Sequence, residues 1–267
     1  MNIYESKCPY CGKEKEVDTT ISGVYKPVYK PCKCEIEEDE RQAAIREAER
    51  NKRIESGKRI YRNKLIPASG LCGRLGRYKI EDIIGQSEAV AIAKEYAQSI
   101  ICGEKAENLL LVGQVGTGKT MLAAAIVRYI CENCEVEDNK AEECYLNQLS
   151  GVYSPYFFTT AISLLSNARS EMLNNSSATV QRCKSAKLLV IDDIGTSTAA
   201  TDFQQTTLLD IIDSRYNEEK PTIITTNLNA AELPKAIGQR SYDRLKDGAT
   251  IITINEESHR KPKKILK

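Results

Sequence analysis

The sequence predicts an α/β fold, a parallel sheet sandwiched by helices with a small cysteine-bearing unit in front of it. Three observations carry this. From residue 88 onward, apolar runs of strand length alternate with runs of helical period, and such alternation builds a parallel sheet covered on both faces. The apolar run 108–112 leads into Gly113, Gln114, Val115, Gly116, Thr117, Gly118, Lys119 and Thr120, and a helix-forming run follows from Met121. The pairs Cys8/Cys11 and Cys32/Cys34 stand apart from that pattern near the N-terminus.

Composition narrows the class. At 267 residues the chain suits one large α/β domain with an appendage. A net charge of +1 gives no global field toward nucleic acid or membrane, so any nucleic-acid contact must come from a local patch. No apolar run reaches membrane-span length and no apolar signal core opens the chain. The expectation is a cytoplasmic protein with no membrane partner, in which ten cysteines stay reduced. His259 is the single histidine, which argues against histidine-based catalysis.

Residues 1–35 read as a metal-stapled module. The two-residue gap of Cys8-Pro-Tyr-Cys11 lets both sulfurs face one ion, and Cys32 and Cys34 complete a four-thiolate zinc set. Such a closed site is structural, because no coordination position is open. Cys131 and Cys134 repeat the spacing with Cys144 farther on, but no fourth ligand lies nearby, and Cys72, Cys102 and Cys183 read as isolated buried thiols. Residues 36–70 form a charged helical linker with acids and bases in i,i+4 register. It is either a solvated connecting helix or a partner-docking one, and it breaks at Ile66-Pro67-Ala-Ser-Gly70.

The main domain spans 71–260. A helix is expected over 88–101, then strands at 109–112, 156–160, 187–191, 222–226 and 249–254, with helices 162–173 and 204–216 among them. The segment 131–155 is polar, acidic and patternless and reads as a surface insertion. The basic tail 261–267, with Arg260 before it, is either a disordered solubilising end or a DNA-phosphate contact.

The glycine loop carries the chemistry. Its glycines let backbone N–H groups turn inward, and the helix N-terminus that follows adds positive potential. Lys119 would reach the β- and γ-phosphates of ATP, and Thr120 would place a hydroxyl on Mg²⁺. The strand 187–191 ends in Asp192 and Asp193. A parallel sheet presents its sites at the carboxyl ends of its strands, so both acids belong beside the loop. Asp192 would hold the Mg²⁺ shell and Asp193 would polarise the attacking water. Asn227, ending another strand, could orient that water or sense the γ-phosphate. Arg240 and Arg244 share one helical face, and an arginine delivered as a finger stabilises phosphoryl charge.

With these pieces in order, the chain resembles the AAA+ ATPases of the DnaC/DnaI type, the replicative helicase loaders, a group that includes the transposition helper IstB. The resemblance rests on the loop from Gly113 to Thr120, the Leu-Val-Ile-Asp-Asp-Ile-Gly195 run, Thr225-Thr-Asn227 and the Arg240/Arg244 segment. It implies an AAA+ P-loop core without a C-terminal lid. Asp192 and Asp193 match the Walker B acids, Asn227 matches sensor 1, Arg244 the arginine finger and Arg260 a sensor 2 arginine. Helix 162–173 matches the initiator-type helix that lines a single-strand DNA path, with Arg169 as a phosphate contact or a solvated side chain.

The resemblance also implies partners: a hexameric helicase gripped by the N-terminal module, single-stranded DNA, and further copies of the chain joined through the finger. Two other readings stay open: an IstB-like transposition helper, and a zinc adaptor whose nucleotide site gates binding without hydrolysis. The cysteine module favours the loader over the first, and the intact acids argue against the second.

Overall fold

A computed structural model describes residues 4–19, 27–83, 87–149, 151–195 and 201–254. Strand β1 (Leu109–Gly113), β2 (Tyr156–Thr160), β3 (Leu188–Ile194), β4 (Thr222–Thr226) and β5 (Thr250–Ile254) form one parallel sheet in the order β2-β3-β4-β1-β5. Side chains alternate across a strand, and the apolar runs therefore feed two cores. Leu109, Leu111, Leu188, Val190 and Ile223 face one side, and Leu110, Leu189, Ile191 and Ile224 the other.

The first core is closed by α1 (Lys33–Ala68), α2 (Ser87–Cys102) and α3 (Lys119–Asn133), the second by α5 (Ala161–Leu173), α6 (Ala178–Ser185), α7 (Asp202–Asn217), α8 (Leu233–Ile237) and α9 (Gln239–Lys246). The expected α/β sandwich is what the chain forms. Order along the sheet matters for the site, because β4 lies between β1 and β3.

Helix α1 is continuous from the cysteine unit to the sheet. Residues 40–53 are exposed on all sides, while Ile54, Gly57 and Leu65 are buried. The helix ends inside the Pro67-containing stretch, and the Ser69 carbonyl then accepts from the Phe158 N–H at 2.7 Å, which ties the helix end to the edge strand β2.

The segment 131–155 departs from the expected patternless insertion. It contains α4 (Asp138–Tyr145), whose Ala141 and Cys144 are buried and which lies along α1. Gly57 makes the approach possible, since any Cβ there would drive into the Ala141 carbonyl. Lys58 pairs with Asp138 at 3.0 Å, and Arg62 Nε donates to the Cys134 carbonyl at 3.0 Å. Small residues at a close helix crossing carry no hydrophobic period, so the sequence pattern hid this element. Two of the three thiols expected to be buried, Cys72 and Cys102, are exposed; Cys183 is buried.

Candidate functional site

Strand β1 ends in the glycine loop, and α3 begins at Lys119 behind Gly118, whose φ of 99° is a left-handed conformation that favours glycine. Lys119 is buried and its Nζ donates to the carbonyls of Gly113 at 2.7 Å and Gln114 at 2.6 Å. Thr117 is buried, its hydroxyl donating to the Gln114 carbonyl at 2.9 Å, while Val115 is exposed and Met121 packs against the core. The loop is a strand–turn–helix cradle with a lysine ammonium at its floor.

The acids meet this loop across β4. Asp192 is buried at the carboxyl end of β3, and Asp193 beside it is exposed with φ 60°. The β3–β4 ladder shifts register between Ile191 and Ile194, which makes room for that conformation. Thr120 Oγ1 donates to Asp192 Oδ1 at 2.9 Å. Thr225, buried on β4, donates to the same Oδ1 at 2.6 Å and accepts the Asp193 N–H at 2.8 Å. Burial holds the Asp192 carboxyl above the usual carboxylate range, and the hydroxyls of Thr225 and Thr120 and the Lys119 charge pull it back. A hydroxyl and a carboxylate converging in this way are the hard oxygen donors that Mg²⁺ takes. Asn227 is exposed immediately past the end of β4.

Sequence reasoning named Thr225 within the Thr225-Thr-Asn227 segment but gave its side chain no role. The signal was a hydroxyl residue in the interior of a fully buried strand, next in the sheet to two acids.

The arginines lie elsewhere. Arg240 is exposed on α9. Arg244 Nε pairs with Asp213 Oδ1 of α7 at 2.6 Å, and its guanidinium stands 5.9 Å from the Tyr216 ring centre. Asn108 Nδ2, just before β1, donates to the Leu245 carbonyl at 3.2 Å. The C-terminal end of α9 therefore sits at the amino end of the sheet, away from the glycine loop. Within one chain Arg244 is not brought to Lys119 and Asp192. Arg260 and the basic tail lie outside the described residues.

The four N-terminal cysteines converge: the sulfurs of Cys8, Cys11, Cys32 and Cys34 all lie within 4.8 Å of one another. Cys11 and Cys32 sulfurs are 3.7 Å apart. Zn–S bonds of about 2.3 Å in a tetrahedron give an S–S edge of roughly 3.8 Å, so the set fits Zn²⁺. Hydrogen bonding to the Cys11 thiol, burial and the Cys32 thiol push Cys34 up to about 11, and a bound cation would favour its thiolate. Two of these cysteines sit at the start of α1, Cys32 just before its first turn and Cys34 within it. Glu35 fastens the junction: it accepts the Cys32 N–H at 2.9 Å and pairs with Lys15 at 3.1 Å, with both charged side chains buried.

A groove of about 490 Å³ opens between α5, the end of β3, α7 and α8, lined by Ile162, Leu165, Arg169, Phe203 and Ala236 among others. Arg169 projects from α5 with its guanidinium 5.4 Å from the Phe203 ring centre. Helices α5 and α6 together fill the connection between β2 and β3. No described helix is long and apolar enough to cross a membrane.

Comparison with known proteins agrees with this geometry. The model of the ATPase family associated with various cellular activities (AAA) matches residues 109–247. The replicative helicase loader DnaC of Escherichia coli (strain K12) is 27% identical over 239 residues, covering 88% of this chain and 89% of that protein. The crystal structure of the DnaI protein superposes with a TM-score of 0.53 at 20% identity, covering 72% of this chain and 99% of that one. The crystal structure of the DnaC helicase loader gives a TM-score of 0.51 at 22% identity, covering 68% of this chain and 99% of that one. At those identities the two structures speak for the fold.

Proposed function

The chain belongs to the AAA ATPase family, and from that premise we propose that it is an ATP-hydrolysing loader of a hexameric replicative helicase. One observation carries the reading: the Thr120 hydroxyl and the Asp192 carboxylate, drawn from the glycine loop and the third strand, meet at 2.9 Å. Similarity to the DnaC loaders over most of the chain supports the choice of partner.

Lys119 would leave its two loop carbonyls for the β- and γ-phosphates of ATP, and the loop amides from Gly113 to Thr120 would cradle the rest. Thr120 and Asp192 would hold Mg²⁺, which neutralises developing charge on the phosphates when bound. Asp193 polarises the attacking water, and Asn227 orients it from the end of β4. Arg244 completes the site of a neighbouring copy, which makes an isolated subunit slow. The zinc module at the tip of α1 grips the helicase. Single-stranded DNA follows the groove beside α5, with Arg169 on phosphate and Phe203 as a stacking face.

The test combines ATP turnover at high protein concentration, with and without single-stranded DNA, and co-purification of the full chain with a hexameric helicase. Turnover that rises with protein concentration, together with capture of the helicase, is expected. No turnover at any concentration, or capture of a transposase instead of the helicase, would overturn the reading.

A further inference from the structure

We propose that Thr225 is a positioning residue of this site: one hydroxyl sets both the side chain of Asp192 and the backbone of Asp193. The inference rests on the ATPase reading above and deepens it.

The argument begins with sheet order. β4 lies between the strand that ends in the glycine loop and the strand that ends in the acids. A side chain on β4 is therefore placed to hold Asp192 where Thr120 meets it. Thr225 is 1% exposed and sits there, paired with Leu111 of β1. A hydroxyl has one proton to donate and lone pairs to accept with. Here both directions are used: the proton goes to Asp192 Oδ1 at 2.6 Å, and the oxygen receives the Asp193 N–H at 2.8 Å.

The second bond replaces something the sheet has lost. The β3–β4 ladder breaks register between Ile191 and Ile194, and Asp193 turns to φ 60°. That conformation is uncommon for a residue with a Cβ and persists where its surroundings hold it. The Thr225 oxygen supplies an acceptor for the N–H at the break. Next to it, the Thr226 hydroxyl donates to the Ile194 carbonyl at 2.8 Å and holds the far side of the same irregularity.

The first bond has a separate consequence. Thr120 shares Asp192 Oδ1 with Thr225. When the Thr120 hydroxyl turns to a metal, the Thr225 bond still holds the Asp192 carboxylate. Thr225 thus touches neither substrate nor metal, and acts through the two acids.

The experiment measures affinity for an ATP analogue in the full chain, once with Mg²⁺ and once in EDTA, together with turnover. Parent, Thr225→Val and Thr225→Ser are compared. Valine keeps the volume and removes the hydroxyl, whereas serine keeps the hydroxyl. A hydrogen bond to a charged group is worth roughly a tenfold effect or more. Thr225→Val is expected to keep its EDTA affinity, to lose about tenfold of the Mg²⁺-dependent gain and to lose turnover in parallel. Thr225→Ser is expected to stay close to the parent.

A Thr225→Val chain with the parent's Mg²⁺ gain and turnover overturns the proposal. So does one that loses affinity equally in EDTA, since that marks a general structural role. If Thr225→Val does not fold, Thr225→Ala is read by the same criteria. A parent that binds no nucleotide overturns the ATPase reading itself and is told apart because no variant is needed to see it.

Discussion

Arg244 Nε lies 2.6 Å from Asp213 Oδ1 of the same chain, so the expected finger is held by its own subunit. The two side chains are 24% and 40% exposed, and a pair of that kind is worth only about 0–1 kcal/mol. A triphosphate presented by a neighbour can therefore take the arginine at small cost. Arg244→Ala should leave ATP binding intact and lower assembly-stimulated turnover by about a thousandfold, the low end for a finger. Asp213→Asn should leave turnover unchanged or raise it. Unchanged turnover in Arg244→Ala would move the assignment to Arg240.

Metal analysis should find one zinc per chain, and Cys8→Ser should lose it. Residues 40–53 of α1 are exposed all round, and a helical stretch without tertiary support is marginal. Chelation should therefore speed hydrogen exchange in the first half of α1 while the sheet amides keep their protection. Equal exchange with and without chelator would remove the metal from any part in ordering the helix.

Gly57→Leu tests the crossing of α1 and α4. Its side chain would have to displace the Ala141 backbone, and overpacking of this kind costs about 1–3 kcal/mol. Denaturant unfolding should report that loss, with nucleotide binding retained in the surviving folded protein. Full stability in the variant would contradict the observed helix contact.

Arg169→Ala and Phe203→Ala test the groove beside α5. Loss of a stacked base is worth about 1–3 kcal/mol, so Phe203→Ala should weaken single-stranded DNA binding roughly fivefold or more. Arg169→Ala should weaken it too, and should reduce the dependence on salt by about one phosphate contact. DNA binding by both variants at the parent's affinity would place the strand elsewhere.

Much of the glycine-loop end of the sheet was legible because its signals are local. A glycine loop between an apolar strand and a helix has a fixed spacing, and Asp192 and Asp193 follow directly on an apolar run. The structure brings Lys119, Thr120 and Asp192 together as those signals imply. The non-local features were not legible. Gly57 and Ala141 meet through the absence of side-chain bulk, which leaves no period in a sequence. Cys72 and Cys102 are exposed, and the sequence did not show it because spacing between cysteines carries no information about depth. Thr225 reads as one more strand residue until the ladder break at Asp193 gives its hydroxyl two partners. Arg244 looked available because its partner Asp213 lies on a different helix.

Helix α1 joins two distant places without a hinge. Its 36 residues, at 1.5 Å each, make a rod of about 54 Å. Its outer end shares its first turns with the thiolate cluster, and its inner end is bonded to the strand that runs straight into α5. With the first turns held by the cysteine cluster, strain from a protein clasped at the far tip would reach the helix end beside the groove. Thermodynamic linkage is reciprocal, so a nucleic acid seated in that groove would in turn alter the grip at the tip.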